Sequence, residues 1–316
     1  MEDKVKVNDI IFKELIKRGH AVENGKKVWN IADSKLWYLT PKQAQSFLDL
    51  EDEKEYKKQV TQNEIDLINE NITEIINKFG KDPLNIIDIG CGDGRKAEIF
   101  LKDFKNHSLR YCPIDISSYM VNKSLERLKK IDVVDEVIEF QWNISDFDNI
   151  ENISFLLRQG KYKRNLFLLL GNTLGNFEIN EILYTIRTSM RDGDFLLIGN
   201  GLDNREPETI LKSYDNDFFK KFSVQPVTQL GIDKKDLEFG VRFVNSRVES
   251  FFTMKKPQEI KFLDKKVELD VGDQIVAVVS YKYNKNDFKS FLNLYFDDVI
   301  TKISKDDSYV LALCKK

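Results

Sequence analysis

The apolar positions of this 316-residue chain change rhythm along its length. In "TQNEIDLINENITEIINKFG", Ile65, Ile68, Ile72, Ile75, Ile76 and Phe79 recur at three- and four-residue steps, which places them on one helical face. Thr61 and Glu64 have the spacing of a capping box at its start, and Gly80 is placed to stop it. Upstream, residues 1–60 read as mostly helical, punctuated by Trp29, Trp37, Tyr38, Phe47 and Tyr56. After Pro83, short apolar runs alternate with helical ones. "NIIDIG", "SLRYCPIDIS", "VIEFQWNI", "NLFLLLG" and "GDFLLIGN" predict strands; "RKAEIFLKDF", "YMVNKSLERLKKI" and "NEILYTIRTSM" predict helices. Such alternation predicts an α/β fold, a parallel sheet wound with helices on both faces. From about Asp203 this alternation of strand and helix stops, and "EFGVRFVNSRVESFFTM", "QEIKFLD" and "QIVAVVSYKYN" read as antiparallel strands with two-residue alternation. "KNDFKSFLNLYF" returns to a helix, and "DDVITKISKDDSYVLALCKK" reads as two strands joined by a turn. The stretch 204–283 therefore reads as an insertion into one sheet domain.

Charge narrows the partners. The net charge is -3, with Lys and Asp/Glu interleaved along the chain. A basic stripe for nucleic acid is missing, so nucleic acid is not the expected partner. Cys91, Cys112 and Cys314, with only His20 and His107 beside them, fit neither a disulfide framework nor a metal site, so no metal is expected. "MEDKVKVNDI" has no apolar signal core, and apolar runs such as Leu166–Leu170 are too short to span a bilayer. A cytoplasmic, reduced, monomeric protein with no membrane partner is the expectation.

The candidate chemistry begins at "DIGCGDG", Asp88 to Gly94. Glycines allow a tight turn and close approach of a ligand to backbone, and the following helix start offers free N–H groups. Asp115 closes the second strand, where an acid accepts bonds from ribose hydroxyls. Asp146 and Phe147 follow the third strand, where they can bracket an adenine. The spacing is G-x-G-x-G, and Asp88 precedes it. An acid there suits a cationic ligand group better than a pyrophosphate; another nucleotide, or a bare turn, is the alternative. After the fourth strand, "GNTLGNF" places Gly171, Gly175 and the amides of Asn172 and Asn176 at the same end of the sheet. An ordinary Gly/Asn loop is the competing reading.

These stretches together resemble a known family. "DIGCGDG" resembles the first motif of class I S-adenosylmethionine (SAM) methyltransferases. "GNTLGNF" resembles the "GSTIGNF" signature of the histidine-specific Nα-methyltransferases of the ergothioneine pathway. "KLWYLTPKQAQSFLDL" with "EYKKQVTQNE", "YCPIDIS", "SDFD", "LLIGNGLDNREPETILKSYDN" and "VELDVGDQIVAVVSYKY" are similar to further segments of that family, in the same order. The resemblance implies a class I Rossmann-like domain, 61–203 with 284–316, ending in an antiparallel hairpin. It also implies a smaller α+β substrate domain from 1–60 and 204–283. It implies SAM as cofactor, contacted by Gly90, Lys96, Asp115, Asp146 and Phe147, with Asp88, Gly92 and Gly171 completing the cradle. Asn176 would hold the substrate amino group, with Tyr38, Phe47 and Tyr56 walling the pocket and Ser280 touching the substrate side chain. Taken alone, Tyr38 and Phe47 also read as plain core, and Lys96 as a solvated lysine.

Where the family carries an acid two residues before the serine, this chain has Val278. Loss of a charged partner for imidazole changes specificity by orders of magnitude. Histidine stays possible, but an apolar or aromatic amino acid, another small amine or a peptide terminus fits Val278 better. The expected chemistry is SAM-dependent N-methylation, with Asn176 and Tyr38 orienting a neutral amine and water taking the proton. A peptide or protein acceptor, or SAM binding without catalysis, are the alternatives.

Overall fold

The computed structural model describes residues 7–105 and 107–316. The first six residues, which carry part of the leader expectation, lie outside the described residues. The chain divides into two compact units: 1–53 with 207–280, and 54–206 with 281–316.

The second unit holds a seven-stranded sheet. Numbered within it, the strands are Leu84–Ile89 (β1), Leu109–Ile114 (β2), Glu136–Val137 (β3), Arg164–Leu169 (β4), Phe195–Gly201 (β5), Asp298–Ile303 (β6) and Tyr309–Lys315 (β7). Their order is β6-β7-β5-β4-β1-β2-β3; β1 to β5 run parallel, and β7 is antiparallel to both β5 and β6. Both faces are covered, which is why the strands read as continuous apolar runs. Ile87, Ile89, Cys112, Ile114, Phe167, Leu169, Leu196 and Ile198 share a core with the helices Ile150–Leu157, Ile179–Ser189 and Lys285–Tyr295. Alternate residues meet the other helical layer. Tyr111 reaches Ser124 in Ser118–Leu128, and Glu64 in Gln62–Asn77 reaches Gly199.

The first unit contains a five-stranded sheet in the order His20–Glu23, Lys26–Asn30, Gln274–Tyr281, Arg247–Met254, Leu237–Val244, plus a hairpin of Gln258–Phe262 and Lys265–Leu269. Its helices include Asp9–Arg18, Pro41–Glu51 and Asp217–Thr228. Among the described residues of the chain, no helix is long and apolar enough to cross a membrane.

Three sequence expectations need correction. Residues 1–60 are largely helical as expected, but the helical reading missed a hairpin of His20–Glu23 and Lys26–Asn30. Asn24 (φ 49°) and Gly25 (φ 75°) make its two-residue turn, a signal the sequence carried. Thr61 caps nothing: it lies inside a continuous helical stretch, with a π turn over Lys57–Thr61, and makes no capping bond. The strand expected over "VIEFQWNI" is reduced to Glu136–Val137. Asn143 accepts the Phe140 N–H and donates to the Pro113 carbonyl, both at 2.6 Å, curling the segment into a 3₁₀ turn. The 204–236 stretch is helical before the antiparallel strands begin, with Pro207–Leu211 and Asp217–Thr228.

One buried ion pair ties the amino-terminal ends of β4 and β5. Arg158 meets Asp194, which is fully buried and also accepts the N–H groups of Asn165 (2.8 Å) and Arg191 (2.7 Å). Removing one member strands the other charge. Asp194→Ala is therefore expected to lower unfolding free energy by about 3–5 kcal/mol in a urea titration.

Candidate active site

In the second unit, the predicted cofactor residues gather at the carboxyl ends of β1, β2 and β4, where parallel sheets bind ligands. Gly90, Gly92 and Gly94 have φ of 67°, 52° and 76°, a region that side chains disfavour. The three glycines serve two different ends. A Cβ at Gly90 would lie 2.7 Å from Thr173 Cγ2, and one at Gly94 2.7 Å from Ser124 Oγ; at Gly92 it would meet nothing within 4 Å. The outer two are packing sites, and Gly92 presents bare backbone to open space.

Asp115 is held ready. Its Oδ2 accepts the Gly92 N–H (3.2 Å), and its Oδ1 accepts the Ser117 N–H (2.9 Å). Burial pushes its carboxyl up to about 6, against the pull of those N–H groups. A bridge from Asp115 to Ile144 brings Asp146 and Phe147 alongside, and the Phe147 ring packs on Phe177 at 4.8 Å. Asp88 lies beneath the loop, 4% exposed, and takes the Tyr111 hydroxyl at 2.5 Å; Tyr111 also contacts Ser124 at 2.7 Å. Burial pushes the Asp88 carboxyl up to about 7, the Tyr111 bond offsetting part of the shift and the Asp115 charge adding to it.

The loop after β4 forms the other wall. Gly171 (φ 74°) donates its N–H to Glu64 Oε1 at 2.8 Å, and a Cβ there would lie 2.9 Å from Lys96 Nζ. Glu64, 1% exposed, stands 3.9 Å from the same ammonium. Its carboxylate fills the space where a Cβ of Gly199 would be. The residue that reads as half of a capping box is thus a buried anchor for Gly171 and Lys96. Asn176 ends the short 3₁₀ turn Thr173–Asn176; its half-buried amide makes no hydrogen bond among the described residues.

In the first unit, Tyr38 and Phe47 meet edge to face at 5.5 Å, and both contact Phe222. Phe222 leads through Phe219 to Tyr214, whose hydroxyl lies 3.3 Å from Ser280 Oγ. Val278 is buried, one strand pleat from Ser280. Phe222 and Tyr214 were not anticipated from sequence. The only signal for Tyr214 was its place in "SYDN". Tyr56 belongs to the second unit, is buried, and bears electrostatically on Tyr309.

The residues fit SAM: bare backbone at Gly92, an oriented acid at Asp115, and a lysine at Lys96 together offer donors and acceptors for a ribose and an amino-acid moiety. The β3-β2-β1-β4-β5-β7-β6 sheet with this loop defines a class I SAM-dependent methyltransferase. Residues 44–315 match the model of the histidine-specific, SAM-dependent methyltransferases, and the chain belongs to that family. It is similar to the N-methyltransferase imqF of Aspergillus flavus, 24% identical over 221 residues, or 64% of this chain. The chain spans 59% of the length of that relative. Among solved structures it is similar to a SAM-dependent methyltransferase from Clostridium acetobutylicum (13% identity, 86% of this chain and 98% of that one, TM-score 0.45). It is also similar to magnesium protoporphyrin IX methyltransferase from Synechocystis with bound S-adenosylhomocysteine (SAH) (11%, 86% and 94%, TM-score 0.46).

Asp88 has a thermodynamic consequence. Its proton is bound more tightly in the folded than in the unfolded chain, so its contribution to stability falls as pH rises toward and through about 7. Between pH 6 and 8, ligand-free protein is expected to lose about 1 kcal/mol from this group, and Asp88→Asn to flatten that loss, both read by denaturant titration.

Proposed function

We propose that the protein transfers the SAM methyl group to the amino nitrogen of an amino acid or related small amine. Asn176 carries this reading. It is half-buried, in the loop after β4 at the carboxyl end of the sheet, with its amide accessible to a ligand. It stands in the loop whose Thr173 packs against Gly90. Its carbonyl oxygen is suited to receive an amine N–H. The name of the Aspergillus flavus relative, an N-methyltransferase, supports the same acceptor atom.

SAM supplies a methyl already activated on a sulfonium, so this chain's task is alignment. The amine must be neutral, with its lone pair about 3–3.5 Å from the methyl and in line with the bond that breaks. Asn176 fixes the amine through one N–H, and water takes the proton. Neither histidine is suited to act as base. His20 packs on Trp29 at 4.5 Å, and His107 Nε2 lies 2.7 Å from the Gly80 carbonyl, before β1 begins and so at the far end of the sheet from the loops.

Val278, 4% exposed among Ile275–Val279, supports an apolar or aromatic side chain on the acceptor rather than imidazole. The test is transfer from methyl-labelled SAM to a panel of amino acids, small amines and short peptides, with products read by mass. Binding of SAM with no amine methylated would sink the proposal. Asn176→Ala should lower kcat by about 100-fold with the SAM KM little changed, the value of about one to two hydrogen bonds in the transition state. Val278→Glu should raise kcat/KM for histidine by about tenfold or more over the unsubstituted protein, measured in the same assay.

A further inference from the structure

Lys282 is buried, with 3% of its surface exposed. Lysine is among the residue types least often found so, because an ammonium withdrawn from water is costly unless it is well bonded. Its Nζ donates to Asn172 Oδ1 at 3.2 Å, and the same oxygen accepts the Gly201 N–H at 2.8 Å. A Cβ at Gly201 would lie 2.8 Å from Lys282 Nζ and displace the ammonium from its place. Asn172 itself sits at φ 60° and opens the turn that ends at Asn176. Its carbonyl accepts the Gly175 N–H at 3.0 Å, and a Cβ at Gly175 would crowd Asn172 Nδ2 (2.9 Å) and the Tyr281 carbonyl (3.2 Å). One oxygen thus joins the loop after β4, the end of β5 and the segment just beyond Ser280.

We propose that Lys282 is a positioning residue for methyl transfer. Its buried ammonium holds Asn172, and through it the Gly171–Asn176 loop, so that the Asn176 amide faces the acceptor nitrogen. This rests on the reading above that Asn176 receives the acceptor. Lys282 touches no reacting atom. Its effect is geometric: a loop free to shift by a fraction of an ångström loses the in-line arrangement while leaving the glycine cradle intact.

Lys282→Met keeps length and removes the donor, and three readouts on the full chain decide its meaning. Hydrogen exchange of amides 171–177 should quicken about tenfold while β1 keeps its protection. SAH affinity by titration should stay within about threefold, because the cradle is unchanged. Methyl transfer from tritiated SAM to an equimolar mixture of the twenty common amino acids should fall about 10- to 100-fold in kcat. In an Asn172→Gly background, which tolerates the same φ, Lys282→Met should cost nothing further. Unchanged exchange at 171–177, exchange rising equally throughout, or an undiminished loss in the Asn172→Gly background would overturn the proposal. If the unsubstituted protein methylates nothing in the mixture, the amino-acid reading falls and the exchange result alone judges the clamp. Should Lys282→Met not fold, Asn172→Gly alone, which removes the acceptor oxygen, carries the same readouts with the same expected results.

Discussion

Thr173 occupies the space that a side chain at Gly90 would need, and much of the site follows from that contact. The turn after β1 is possible only because Gly90 has neither a Cβ nor an objection to positive φ. Once Thr173 fills the vacancy, the loop after β4 is packed against the loop after β1. The wall that carries Asn176 is thus in contact with the cradle for the cofactor at this one point. A methyl transferase needs such positioning more than it needs a strong acid or base, since the methyl is activated before it arrives and the remaining barrier is largely one of alignment.

Buried charge supports this arrangement from below. Glu64 and Lys96 stand near each other under Gly171, Asp88 rests on Tyr111, and Lys282 reaches Asn172. Each of these groups is costly to bury and tolerable only when bonded. Gly171, Tyr111 and Asn172 hold Glu64, Asp88 and Lys282 through backbone or neutral side-chain groups, so geometry as well as opposite charge keeps the charges in place. The π turn at Lys57–Thr61 belongs to the same design: it adds a residue to the helical turn just ahead of Glu64. The first unit follows another logic. Its aromatic run from Tyr38 and Phe47 through Phe222 to Tyr214 is held by ring packing, and the Tyr214 hydroxyl meets Ser280.

Local pattern by itself determined a good deal. Apolar runs of strand length, separated by helical periods, specify a sheet covered on both faces because no other arrangement buries both sides of such strands. The turn at Gly90, Gly92 and Gly94 was legible because a tight turn of positive φ demands glycines at short spacing. The closing hairpin was legible from two-residue alternation around a polar turn.

Other features were decided only by tertiary structure. Thr61 and Glu64 satisfy a local rule for a helix start, yet the helix begins earlier and Glu64 bonds Gly171, 107 positions away. The Lys26–Asn30 strand pairs with Gln274–Tyr281, and Trp37 bonds the Ala277 carbonyl 240 positions away. Phe222 and Tyr214 gained their place from a helix and a contact to Ser280 that no nearby residue foretold. The reason is physical. Spacing along a chain reports which face of an element is apolar, but which distant surface covers that face depends on shape and on where each buried polar group finds its partner.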